Sequence, residues 1–215
     1  MERKKILAIF ILCIIFLNGS LKAEEKWVLE KEKNGIKCYT RVVKGSVFKE
    51  YKADITIEST YSALLALFED LRNYPNWLES CIEGEVLKRN STFEYYSYTI
   101  SDPPWPITNR EAVALNNMEQ DPETGYINIW FKSVDGMKRD PDLIRVKLID
   151  GYWKLMKKGN KVKVIYKVHC DPGGSIPSSL VNAFIISQPY NTLLNMRKEV
   201  QRNKYQGSIY EFIKE

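Results

Sequence analysis

The sequence predicts an α+β protein, an antiparallel sheet with its helices held apart from it, and three observations carry that prediction. Val162, Val164, Tyr166, Val168 and Cys170 alternate with Lys161, Lys163, Ile165, Lys167 and His169. A period of two marks a strand with one apolar and one mostly wet face. Asp171-Pro-Gly-Gly stops that strand, and Leu180, Val181, Phe184 and Ile185 then recur at helical spacing in a long helix reaching Arg197. The order along the chain is helix, two strands, two short helices, a strand meander and a final helix, which segregates strands from helices.

Taken in order, Met1 to Lys5 is basic and Ile6 to Leu17 is an unbroken apolar run. Twelve residues fall short of the ~20 needed to cross a bilayer. They fit the core of a secretory signal peptide, with a cut expected after Ala23. An exported protein, periplasmic or secreted, is the expectation. Glu24 to Asn34 reads as a short amphipathic helix anchored by Trp27 and ended by Asn34-Gly35. Ile36–Val43 and Val47–Ile57 read as strands joined by Lys44-Gly45-Ser46. Ser59 is placed to cap a helix carrying Leu64, Leu65, Leu67 and Phe68, and Pro75 breaks the chain before Trp77. Further strands are expected at 85–88, 92–100, 110–118, 126–134 and 144–156. Pro189 would interrupt the hydrogen-bond ladder partway along the last helix, as suits a movable lid. Residues 24–205 form one domain with a substantial core, and 206–215 form a tail.

Composition excludes several functions. Residues 1–23 contribute Arg3, Lys4, Lys5 and Lys22 against Glu2, so most of the chain's +5 belongs to that segment. The remainder keeps too small an excess for a nucleic-acid surface. The lone histidine, His169, has no identifiable partner for acid–base work, and no phosphate loop or metal-ligand spacing occurs. No catalytic residue, cofactor or metal is therefore expected. Cys38, Cys81 and Cys170 remain after export. A Cys81–Cys170 or Cys38–Cys81 disulfide suits an oxidising compartment, and buried thiols suit the apolar face of Cys170.

Three stretches carry a family resemblance: His169-Cys-Asp-Pro-Gly-Gly-Ser-Ile-Pro-Ser-Ser-Leu-Val-Asn, Pro103-Pro-Trp-Pro-Ile-Thr-Asn-Arg-Glu, and Asp70-Leu-Arg-Asn-Tyr-Pro-Asn-Trp, with Arg145 at a strand start as a further match. Together they resemble the START domains, the lipid-transfer modules related to the steroidogenic acute regulatory protein. The resemblance implies a helix-grip fold, in which a curved antiparallel sheet wraps a long C-terminal helix that lids a hydrophobic tunnel. It implies a monomer that binds a lipid or other hydrophobic small molecule and touches membranes transiently. The positions of a buried carboxylate–arginine pair found in some sterol-binding relatives fall on Ser97 and Asn116, both neutral here.

Candidate ligand-binding residues follow. Arg110, Ala112, Ala114 and Asn116 share a strand face on which small side chains leave room. Either that face lines the cavity, or it is an outer face with Arg110 paired to Glu111 or Asp102. Ser97 and Asn116 could bond a ligand hydroxyl. Tyr95 and Trp130 could line an amphipathic pocket or simply pack, and Arg145 could anchor a headgroup or make a surface ion pair. Met137 is an adaptable tip on the loop 134–142, faced by Leu180, Phe184, Ile185 and Leu194 of the helix. The competing readings are a polyketide-cyclase-like enzyme using Arg110, Tyr95 or Tyr98, and a cavity-free interaction scaffold.

Overall fold

The computed structural model describes residues 26–137 and 140–215. The expected signal segment, residues 1–23, lies outside them. The element order is β1 (Val28–Lys33), β2 (Ile36–Arg41), β3 (Glu50–Glu58), α1 (Tyr61–Glu69), a 3₁₀ helix at Leu71–Asn76, β4 (Cys81–Arg89), β5 (Glu94–Ser101), β6 (Arg110–Gln120), β7 (Ile127–Ser133), β8 (Ile144–Arg145), β9 (Leu148–Lys158), β10 (Lys161–Asp171), α2 (Ser178–Phe184) and α3 (Ser187–Glu199). Nine strands form an antiparallel path β1-β2-β3-β10-β9-β7-β6-β5-β4, and the short β8 pairs in parallel with the start of β6. The last helix, α3, packs against β2 and β3. The expected α+β helix-grip fold is present.

The anchoring strand behaves as its pattern dictates. Val162, Val164, Tyr166 and Val168 are buried on one face of β10, while Lys161 is exposed. They join Ile55, Ile57, Leu64, Leu67, Leu155, Leu193 and Met196 in one core between sheet and helices.

Several local expectations need correction. The helix expected over 24–34 is not formed by its described residues: 28–33 form an edge strand paired with β2. Asn34 and Gly35, read as a helix end, adopt φ of 54° and 74° in a two-residue connection. That conformation is the tight hairpin turn for which Asn-Gly is the strongest short signal. The link between β2 and β3 is longer than the expected turn, because pairing stops at Arg41 and resumes at Glu50. Thr60, not Ser59, caps α1, its hydroxyl accepting from the Ala63 N–H at 3.1 Å.

The long C-terminal helix is two helices. The break falls after Phe184, and Pro189 is the third residue of α3. A proline in the first turn removes an N–H that has no helical partner anyway, so it starts a helix here and does not kink one. Residues 206–215 return to the domain. The Glu215 carboxylate accepts from the N–H groups of Tyr61 (3.0 Å) and Ser62 (2.8 Å) at the start of α1, where the helix dipole favours a negative charge.

Candidate ligand cavity

Residues opposite one another in an antiparallel ladder share a face. The row Tyr51, Val168, Gly151, Phe131, Asn116, Tyr95 therefore crosses β3, β10, β9, β7, β6 and β5 on one side of the sheet. Gly151 is required there. A Cβ would stand 2.5 Å from the Phe131 ring and 2.4 Å from the Lys167 carbonyl oxygen. Its absence lets Phe131 lie flat along the row.

Above this face is a cavity of about 340 Å³. It lies toward the small end of the ~300–1,000 Å³ range usual for ligand pockets. Trp77, Phe131, Trp153 and Tyr166 make much of its apolar wall. The rings of Trp153 and Tyr166 stack at 3.7 Å with an angle of 4°, and Trp77 meets Trp153 edge-on at 6.0 Å. The Tyr51 hydroxyl, hydrogen-bonded to Tyr166 (3.2 Å) and donating to Gln188 Oε1 (2.9 Å), ties β3 and β10 to the start of α3. Burial pushes the Tyr166 phenol up to about 12, so it is neutral over the ordinary range.

The face Arg110, Ala112, Ala114, Asn116 lines this cavity throughout. Asn116 Nδ2 donates to Ser97 Oγ at 2.8 Å and to the Ala114 carbonyl at 3.1 Å. The two neutral positions therefore bond each other, and their free lone pairs are the hydrogen-bonding capacity of that wall. Arg110 is only 4% exposed. One terminal nitrogen donates to Thr108, through its carbonyl and its hydroxyl (3.0 Å).

The carboxylate next in sequence is spent elsewhere. Strand alternation turns Glu111 to the opposite face, where it accepts from Arg145 Nε (3.0 Å), the Tyr98 hydroxyl (3.0 Å) and the Asp140 N–H (2.8 Å). Burial pushes the Glu111 carboxyl up, but these three donors outweigh it and hold its pKa below the ordinary value. Arg145 thus fastens β8 and the loop before it to β6. It does not reach the cavity, and neither does Tyr98.

Of the residues the sequence singled out, the cavity takes Ser97, Arg110, Ala112, Ala114, Asn116, Phe184 and Ile185. Tyr95 continues the cross-strand row beyond the cavity's edge, under the Arg89 guanidinium at 5.0 Å. Trp130 lies on the opposite sheet face, 41% exposed, with Phe131 one residue on facing in. Met137 and Leu180 are half-buried and outside the cavity wall, and Leu194 packs on the main core. Sequence reasoning missed Phe131, although Ile127 and Ile129 set the parity that places it inside. It also missed Trp77, Trp153 and Tyr166, which meet only when the strands pair.

Cys38, Cys81 and Cys170 are free thiols. The latter two line the cavity, and burial raises both to about 12. Among the described residues no group of three or more His, Cys, Asp or Glu is placed to hold a metal.

The cavity is also lined by Pro103, Pro104 and Ile107 of the proline loop and by Pro172, Val181 and Phe184 before and on α2. No residue of α2 is fully buried, and its N-terminus has no side-chain cap. Asn182 holds it down, accepting from the Lys49 N–H at 3.1 Å and donating to the Val47 carbonyl at 3.3 Å.

Comparison with known proteins places this architecture. The START domain family matches residues 15–206. An uncharacterised protein of Pseudomonas aeruginosa is 34% identical over 185 residues, 86% of this chain and 91% of that protein. The phosphatidylcholine transfer protein of Mus musculus is 26% identical over 181 residues, covering 81% and 84%. Among solved structures, the STAR-related lipid transfer protein of Xanthomonas axonopodis (fragment 25–204) superposes with a TM-score of 0.77 at 29% identity, covering 82% of this chain and 99% of that one. With its sheet, its two-part C-terminal helix and its three motifs in the matched span, the chain belongs to the START domain family.

Proposed function

We propose that this protein binds one hydrophobic molecule in the cavity above the sheet and shields it from water. The observation that carries this reading is the cavity itself. It is walled mainly by aromatic and aliphatic side chains with polar ones among them, and α2, which has no fully buried residue, supplies part of that wall. A ligand burying roughly 400 Å² of apolar surface gains about 10 kcal/mol at 25 cal/mol per Å². Ordering and association costs then leave micromolar to nanomolar affinity.

Release requires α2 to lift, and a membrane is where this reading puts the event. Trp105, 89% exposed, projects from the proline loop at the mouth, and Val47, 70% exposed, projects from the loop that Asn182 holds. Both are apolar side chains that a bilayer surface would accept. The basic and apolar pattern of residues 1–23 supports export, so the work would be done in a periplasm or outside the cell.

The acid–base pair that an enzyme of this fold would need is not assembled from the residues named for it, since the Tyr98 hydroxyl serves Glu111 away from Arg110. Titration with a fluorescent long-chain probe, followed by quenching of the cavity tryptophans, tests the binding reading. Saturable one-to-one uptake, displaced by unlabelled lipids, is expected. No uptake across chain lengths and headgroups would overturn it.

A further inference from the structure

Among the described residues, two buried side-chain nitrogens have no hydrogen-bond partner, Arg110 Nε and Trp77 Nε1. Both are donors, and both belong to residues that line the cavity. Leaving a buried donor unpaired is costly, and a buried cation without a counter-charge is costlier still.

The other charged groups of the cavity wall are engaged. Lys49 stands 3.8 Å from Glu30, and Glu79 accepts from Asn191 Nδ2 at 3.0 Å. The two carboxylates that the sequence offered as partners, Glu111 and Asp102, make no ion pair with Arg110, and Glu111 is committed to Arg145 at 3.0 Å. No carboxylate among the described residues lies within ion-pair distance of Arg110. The only influence moving its pKa is desolvation, which lowers it.

The backbone of Gly174 comes close to the guanidinium. Gly174, at φ of 69°, would carry a Cβ 3.7 Å from the second terminal nitrogen of Arg110. A guanidinium with one terminal nitrogen held by Thr108 and no partner at Nε keeps an edge that can take an anionic oxygen pair.

We propose that Arg110 is the anion subsite of this cavity, and that the ligand is an amphiphile with a carboxylate or phosphate head on an apolar chain. The head sits at the Arg110 end, under Pro172 and α2, and the chain lies along Phe131, Trp153 and Tyr166. This deepens the binding reading above and rests on it.

The test uses the full-length protein and chain-matched probes: a fatty acid, a monoalkyl phosphate and the corresponding fatty alcohol, each competed against a neutral fluorescent probe. The wild type is expected to favour at least one anionic probe over the alcohol by roughly ten- to a hundredfold, the worth of a charge-assisted hydrogen bond. Whichever anion wins identifies the source, and either supports the subsite. Arg110→Met should collapse the ratio toward one, and Arg110→Lys should retain part of it. Equal affinity of the wild type for all three probes would overturn the anion subsite while leaving the cavity reading intact. Failure to take up any of them would remove both. The head-group comparison on the wild type needs no variant, so a poorly folding Arg110→Met does not spare the proposal.

Discussion

Ala112 faces the cavity from near the start of β6, 7% exposed and flanked on its face by Arg110 and Ala114. Replacing it by leucine adds three carbons where the structure holds open space. In a filled core such overpacking costs about 1–3 kcal/mol. Here the added carbons enter the open cavity of about 340 Å³ instead. Burying them gains up to about 2.4 kcal/mol at ~0.8 per methylene, and fixing the leucine rotamer returns about 0.5–1 of that. The ligand-stripped variant should therefore melt about 3–8 °C higher than the wild type, at 2–4 °C per kcal/mol for a domain of this size. Its affinity for a long-chain probe should fall roughly thirty- to a hundredfold, because about three methylene contacts are lost to the new side chain. Scanning calorimetry and probe titration on one preparation read both effects. A variant that melts several degrees lower and binds as the wild type does would refute the reasoning, for it would put Ala112 in packed core.

Removing the Asn182 side chain (Asn182→Ala) deletes the two hydrogen bonds that hold α2 to the loop before β3; stopped-flow probe release should quicken by about tenfold with little change in melting temperature. Glu111 contributes stability through a carboxylate whose folded pKa lies below its ordinary 4.5. That contribution is complete above the ordinary value and disappears as pH falls through the lowered one. Glu111→Gln should therefore cost about 3 kcal/mol at neutral pH and flatten the acid limb of the stability curve, as denaturant titrations across pH would show. With burial raising Cys81 and Cys170 to about 12, their labelling by a thiol reagent at pH 8 should run roughly a thousandfold slower than that of free cysteine. A bound ligand should slow those two further and leave Cys38, outside the cavity, unaffected.

The sheet was legible because its signals are local and periodic. The alternation of 162–170 fixed a strand and its buried face, and the Arg110, Ala112, Ala114, Asn116 face announced space by placing small side chains where a core would place large ones. The first element was misread because a run of Lys and Glu serves an exposed helix and an edge strand equally well. Only pairing with β2 decides between them, and the Asn34-Gly35 turn was the clue. Choosing Trp130 over Phe131 ignored the parity set by Ile127 and Ile129. Arg145 could not be placed from sequence, because its partner Glu111 comes to it through the parallel pairing of β8 with β6, a contact across 34 positions of chain. The stack of Trp153 on Tyr166 has the same origin, since it depends on the register of β9 against β10.

Native mass spectrometry of the protein purified from its own host, followed by organic extraction of what it carries, tests the central claim most directly. The account predicts one lipid adduct per chain, lost on extraction and regained on exposure to lipid, and it predicts that this lipid is an amphiphile with an acidic head. A protein that emerges empty and stays empty across a broad lipid panel would contradict it.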